Sequence, residues 1–295
     1  MLLIFYFQEI RCLFSRDKKK KKVKHKKYGD KDKINLANKG EEQDKESTKE
    51  VGVKKQVLKK VKIKKANNEE GEKMLKIAVF ASGRGSNLQA IIAAVKSGDL
   101  PAEISLVISD REDAKALSRA EEAGIANKFI DPGRFQDQAE YEKALIAELN
   151  KAEIELIVLA GFMRILSPDF VGKYENKIIN IHPSLLPAFQ GLQAQKQALE
   201  CGVRYSGCTV HFVDEGIDTG PIILQAVVEV REDDGVEELA DRILKEEHRI
   251  YPRAIKLIAE DRVKIEQGRV FIEDDSKAVN NVNNPGPAAV PSPQR

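Results

Sequence analysis

Cysteine is scarce in this chain: Cys12, Cys201 and Cys208 are the only three among 295 residues. They are too few for a disulfide framework and do not stand at metal-ligand spacing, so a reducing compartment is expected. Histidine is as thin, with four scattered copies that form no ligand cluster. Neither a metal nor a tightly bound cofactor is expected from that set. No stretch approaches 18 consecutive apolar residues, which excludes a helical membrane span. The apolar opening at residues 1–7 lacks a basic flank and a small-residue cleavage site, so it does not read as a secretory leader. The lysine-heavy segment behind it is not the acid-poor, Ser- and Arg-rich composition of a transit peptide. Cytoplasmic residence follows from these absences. There is no internal repeat.

What the chain has is charge, unevenly placed. Residues 1–73 hold 23 Lys/Arg against 12 Asp/Glu, a net of +11, whereas the remainder holds 26 against 35, a net of −9. The formal total of +2 hides a basic arm joined to a mildly acidic globular domain. The run from Lys18 to Lys22 is low-complexity sequence, and the arm lacks proline and hydrophobic periodicity. Residues 1–73 are therefore expected to be disordered, with too little apolar surface to offset ordering entropy. Clustered lysine can attract polyanions in a salt-dependent way. No aromatic residue lies between positions 51 and 73, so base stacking has no platform there. Nucleic acid is thus expected only as a non-specific partner of the arm.

At Met74 the character changes. Strand-like runs are expected at 75–81, 103–108, 126–130, 154–160, 177–181, 208–213 and 222–230. Helical periodicity falls at 87–97, 114–123, 138–151, 193–201 and 235–260. This alternation predicts an α/β fold built on a single doubly wound, mostly parallel sheet. The last two strands have no helix between them, which predicts an antiparallel edge addition. A domain over 74–270 and a disordered, Asn- and Pro-rich tail over 271–295 complete the organisation.

Four segments carry chemistry. In Ile178-Ile179-Asn180-Ile181-His182-Pro183, alternation along a strand puts Asn180 and His182 on one face. Their separation is roughly 7 Å, and Pro183 stops the ladder beside them. A neutral amide beside an imidazole suits a reaction with a developing oxyanion and a proton to move; the bland alternative is a buried histidine next to a strand-end asparagine. The turn Gly83-Arg84-Gly85-Ser86-Asn87 follows the first strand and opens a helix, whose free N–H groups favour an anion. Leu88 replaces the third glycine of a dinucleotide fingerprint and no Gly-Lys-Ser/Thr follows, so a small phosphate is the sharper reading. A plain β–α turn is the alternative.

The third segment, Gly161-Phe162-Met163-Arg164-Ile165-Leu166, leaves a strand at its carboxyl end, where open α/β sheets bind ligands. It reads as a wall for a flat heteroaromatic ligand, or else as a core-facing loop with one surface arginine. The fourth, Asp214-Glu215-Gly216-Ile217-Asp218-Thr219-Gly220-Pro221, is an acidic loop constrained by glycine and proline. A carboxylate held near His182 would favour and orient its imidazolium. His211 alternates with Val210 and Phe212 and reads as structural. Glu247 stands in a helix, where a carboxylate can hold a substrate amine or hydroxyl.

With these segments in order, residues from about 74 to 269 resemble the phosphoribosylglycinamide formyltransferase family of purine biosynthesis. The resemblance rests on Gly85-Ser86-Asn87, Gly161-Phe162-Met163-Arg164, Asn180-x-His182-Pro183-Ser184-Leu185-Leu186-Pro187 and Asp218-x-Gly220-Pro221. It implies a Rossmann-like formyltransferase fold and formyl transfer from 10-formyltetrahydrofolate, a co-substrate, to the amine of phosphoribosylglycinamide. It implies Asn180, His182 and Asp218 as catalytic. Gly85, Ser86, Asn87 and Glu247 would hold phosphoribosylglycinamide. Gln138, Met163, Arg164, Ile165, Leu166, Asn180, Asp214, Glu215, Gly216, Ile217 and Asp218 would hold folate. The partners implied are small molecules, with the protein a monomer or homodimer. Gln138 stands where the family usually has a basic residue, Gln190 where it has proline and Gln193 where it has histidine. The alternatives are a formyltetrahydrofolate hydrolase, which uses water as acceptor, and a polyanion-binding or inactive homologue acting through the arm.

Overall fold

The computed structural model describes residues 66–67 and 73–273. Expectations for the rest of the arm and for the tail beyond 273 lie outside those residues. A two-residue strand, β1 (Ala66–Asn67), pairs antiparallel with the start of β2 (Lys73–Phe80), so sheet structure begins within the segment expected to be disordered. From β2 the chain alternates through α1 (Ser86–Lys96), β3 (Ala102–Ser109), α2 (Lys115–Glu122) and β4 (Asn127–Phe129). It continues through α3 (Gln138–Lys151), β5 (Leu156–Leu159), α4 (Pro168–Lys173), β6 (Ile178–His182) and α5 (Ala194–Glu200). Then come β7 (Tyr205–Phe212), β8 (Ile222–Glu229), the 24-residue α6 (Val236–Ala259) and a hairpin, β9 (Val263–Glu266) and β10 (Arg269–Ile272).

The main sheet runs β4-β3-β2-β5-β6-β7-β8. Its first five members in that order are parallel; β7 and β8 are antiparallel additions. The α/β doubly wound expectation and its antiparallel edge are thus met. Two features depart from expectation. The short α4 is capped by Ser167, whose side chain accepts from Phe170 N–H, with Pro168 at the first helical position. The β9–β10 hairpin carries ordered backbone to Ile272, past the expected boundary at 270.

Alternation along the central strands divides the core. On β2, Leu75, Ile77 and Val79 face one layer, with Leu88, Ile91, Leu239, Ile243 and Tyr251 from α1 and α6. Ala78 and Phe80 face the other, with Tyr141, Leu145 and Leu149 of α3 and Phe170 of α4. Fully burying one such aliphatic or aromatic side chain stabilises by about 1.5–3 kcal/mol, so a register slip on β2 would be prohibitive. The same alternation sorts β6: Ile179 and Ile181 join the first layer and Ile178 the second. Asn180 and His182 therefore emerge on the α3/α4 side, at the carboxyl end of the strand.

Candidate active site

The β6–β7 register sets Asn180 directly opposite His211, and His182 opposite Thr209. Residues opposed across an antiparallel pair are close enough for side-chain contact. Asn180 Nδ2 lies 3.3 Å from His211 Nε2, while His211 Nδ1 lies 2.8 Å from the Phe212 carbonyl oxygen. Nδ1–H donates to that carbonyl, and Nε2 faces both the Asn180 amide and Asp218. Asn180 is thereby oriented, and its second N–H stays available to a ligand oxygen. His211, read from sequence as structural, is indeed buried, yet it sits on the amide and 3.6 Å from Asp218 Oδ1.

Asp218 arrives from the loop between β7 and β8, which folds tightly back: a Cβ on Gly220 would stand 2.0 Å from the Phe212 carbonyl oxygen. No side chain fits there, which explains the glycine. Asp218 itself has φ 54°, a left-handed conformation that Asp and Asn tolerate better than most residues. Its Oδ2 lies 3.2 Å from His182 Nδ1 and accepts from Gly191 N–H at 2.9 Å. Burial opposes ionisation of this carboxyl. The His211 ring, the Gly191 N–H and the His182 ring together outweigh it, leaving Asp218 below the usual carboxylate range.

His182 Nε2 lies 2.8 Å from the Phe189 carbonyl oxygen. Both ring nitrogens thus face acceptors, and the ring makes both bonds as donor only when doubly protonated. The 183–193 loop that supplies Phe189 is anchored from beneath. Thr209 Oγ1 donates to Ser184 O at 2.7 Å and accepts from Leu186 N–H at 3.1 Å. Gln190, one of the three glutamine departures, donates to the Asp218 carbonyl oxygen at 3.1 Å. Gln193 is exposed at the N-cap of α5.

At the end of β2, Gly85 turns the chain into α1 with φ 67°. A Cβ there would meet the Ala116 Cα at 2.8 Å, and no side chain caps the helix N-terminus. Asn87 Nδ2 donates to Glu247 Oε2 at 2.8 Å, and both side chains are buried. Asn87 Oδ1 is buried without a partner. Burial pushes the Glu247 carboxyl above its ordinary value, with the Asn87 bond opposing. A carboxylate and an orphaned amide oxygen side by side form an acceptor pair for N–H or O–H donors.

The folate residues implied by resemblance divide by position. Met163, Arg164, Ile165, Glu215, Gly216 and Ile217 are exposed on two loops at the carboxyl edge. Leu166 is buried in the core layer beside α3 and α4. Asp214 shapes its own loop, accepting from Gly216 N–H at 3.1 Å and Thr219 Oγ1 at 2.7 Å. Gln138 Nε2 donates to Glu142 Oε1 and to the Ile165 carbonyl oxygen, each at 2.9 Å. Among the described residues no helix is long and apolar enough to cross a membrane.

A sequence profile described as "Formyl transferase" matches residues 75–255. The phosphoribosylglycinamide formyltransferase of Bacillus subtilis is 47% identical over 183 residues, 62% of this chain and 94% of that one. The trifunctional purine biosynthetic protein adenosine-3 of Gallus gallus is 47% identical over 197 residues, 66% of this chain. Those residues span only 20% of that much longer relative. Glycinamide ribonucleotide transformylase 1 from Symbiobacterium toebii superposes with a TM-score of 0.67 at 51% identity, covering 68% of this chain and 95% of that one.

Proposed function

The chain belongs to the formyl transferase family, and on that premise we propose that it transfers a formyl group from 10-formyltetrahydrofolate to the primary amine of phosphoribosylglycinamide. The observation that carries this reading is His182 held between Asp218 and the Phe189 carbonyl, one pleat from Asn180. Attack of the amine nitrogen on the formyl carbon forms a new C–N bond and a tetrahedral oxyanion. The free N–H of Asn180 and the charged His182 ring stabilise that oxygen. Collapse breaks the bond to the folate nitrogen, which leaves with a proton from His182, and the attacking nitrogen gives up one proton to the neutral ring, which restores it. Asp218, 3.2 Å from Nδ1, orients the ring and offsets the positive charge of its protonated form. No step calls for a metal.

Glu247 and Asn87 provide acceptors for the amine-bearing substrate, and the uncapped start of α1 suits its phosphate. Met163 and Ile165 offer apolar surface to the folate ring, and Arg164 a cation to its carboxylates. The test is an assay of the full chain with 10-formyltetrahydrofolate, with and without phosphoribosylglycinamide. Folate release that requires the amine supports the transferase. Release at equal rate without it makes the protein a hydrolase and overturns the proposal, as does no release in either case.

A further inference from the structure

We infer that Gln138, Glu142 and Ser82 are positioning residues that brace the 161–167 loop, so that Met163 and Ile165 stand preformed as an apolar wall for the folate ring. The inference rests on the proposed function and assigns these residues a role beyond it. It starts from an imbalance. Met163 is 72% and Ile165 75% exposed, whereas Leu166 beside them is buried in the core. Two large apolar side chains left in water each forgo about 1.5–3 kcal/mol of burial. A slack loop would turn them inward, so something must hold the backbone.

Polar bonds from two separate places, the end of β2 and α3, supply that hold. Where the ladder between β2 and β5 runs out, Ser82 N–H donates to the Gly161 carbonyl oxygen at 3.1 Å and Ser82 Oγ accepts from Met163 N–H at 2.9 Å. At the far end, Glu142 Oε1 accepts from Ser167 N–H at 2.7 Å, and Glu142 Oε2 accepts from the Ser167 hydroxyl. Gln138 lies one turn earlier on α3. Its single amide nitrogen carries two N–H groups and has two acceptors, Glu142 Oε1 and the Ile165 carbonyl oxygen, each at 2.9 Å. Its donors are both engaged, so Gln138 acts on the ligand through the loop. The Arg164 guanidinium lies 5.2 Å from the centre of the Tyr141 ring, a further tie to α3.

Glu142 is 4% exposed, and its two oxygens accept three hydrogen bonds, all from Gln138 and Ser167. A buried carboxylate is costly unless hydrogen-bonded. Every donor that satisfies this one ties α3 to the loop or orients Gln138 toward it. Preorganisation of this kind raises affinity by lowering the ordering cost of binding.

The test separates the two substrates. Gln138→Met keeps the length of the side chain and removes both N–H groups; Gln138→Arg retains donors for both acceptors. For Gln138→Met the KM for 10-formyltetrahydrofolate should rise about tenfold, the order expected for losing the bond to the Ile165 carbonyl oxygen, the one of the two that reaches the loop. Its kcat and its KM for phosphoribosylglycinamide should hold within about twofold, since the brace acts on one pocket only. Ser82→Ala, at the opposite end of the loop, should show the same split, and Gln138→Arg should restore the folate KM. An unchanged folate KM in Gln138→Met, or a parallel rise in both KM values, would overturn the brace while leaving the transferase intact. A wild-type chain that releases no folate with the amine present overturns both.

Discussion

Asp218→Asn separates the chemistry of this site from its architecture. At 3.2 Å, the His182–Asp218 pair interacts by about 5 kcal/mol for unit charges at an effective dielectric near 20. An amide retains a dipole in place of the charge. If roughly half of that attraction operates in the transition state, about 2.5 kcal/mol is lost and kcat falls on the order of 100-fold. The backbone has no reason to move, because Asn accepts the φ of 54° as well as Asp does. With its oxygen toward Gly191 N–H, the new side chain keeps that backbone bond. Stability should change in a pH-dependent way. A carboxyl below its ordinary value contributes stability above about pH 4, and that contribution is lost as pH falls through the native value. Wild type should therefore melt somewhat above the variant at pH 7, and the gap should close on acidification. Steady-state rates with both substrates saturating, paired with thermal melts from pH 3 to 7, test the argument. Turnover within threefold of wild type would remove Asp218 from the mechanism.

Tyr251→Phe should cost about 2 kcal/mol, because one fully buried hydroxyl serves the Leu159 carbonyl oxygen at 2.8 Å and the Ile179 carbonyl oxygen at 3.2 Å. That corresponds to a melting temperature roughly 4–8 °C lower for a domain of this size; a circular dichroism melt unchanged within 1 °C would mean that those carbonyls find other donors. Glu247→Gln should stabilise the fold at neutral pH while raising the KM for phosphoribosylglycinamide. A carboxyl raised by burial adds stability below its ordinary 4.5 and loses it as pH rises through the native value, a dependence an amide lacks. A denaturation midpoint lower than wild type at pH 7 would contradict that account of Glu247. A chain beginning at Met74 loses the β1 pairing but keeps both β2 ladders, so its melting temperature and kcat should match the full chain. A large loss in either quantity would show that the upstream residues pack on the domain.

How far the site was legible depends on the range over which each contact acts. Alternation along β6 separates Ile179 and Ile181 from Asn180 and His182 because neighbouring side chains on a strand must diverge, whatever the rest of the fold does. The same local reasoning finds His211 buried but cannot find its partner. That takes the pairing direction and register of β7, which arise between strands 31 residues apart in the Asn180–His211 contact. Gln138 is a harder case, since its amide reaches the Ile165 carbonyl oxygen 27 residues along and its charge class alone misdirects. The helix α4 carries a Ser167-Pro168 start signal, but six residues are too few for a periodic pattern to emerge. Glu247 was legible in another way. It falls on the buried stripe formed by Leu239, Ile243, Ile250 and Ala254, where a carboxylate is out of place.

That stripe has a mechanical consequence. Glu247 and Tyr251 lie one turn apart on α6, about 6 Å along a single rod. The first bonds the Asn87 amide on α1, and the second bonds the carbonyl oxygens of Leu159 on β5 and Ile179 on β6, the residue before Asn180. One helix thus ties the Asn87–Glu247 pair to the backbone beside Asn180, so a change that shifts α6 along the sheet should be felt at both places.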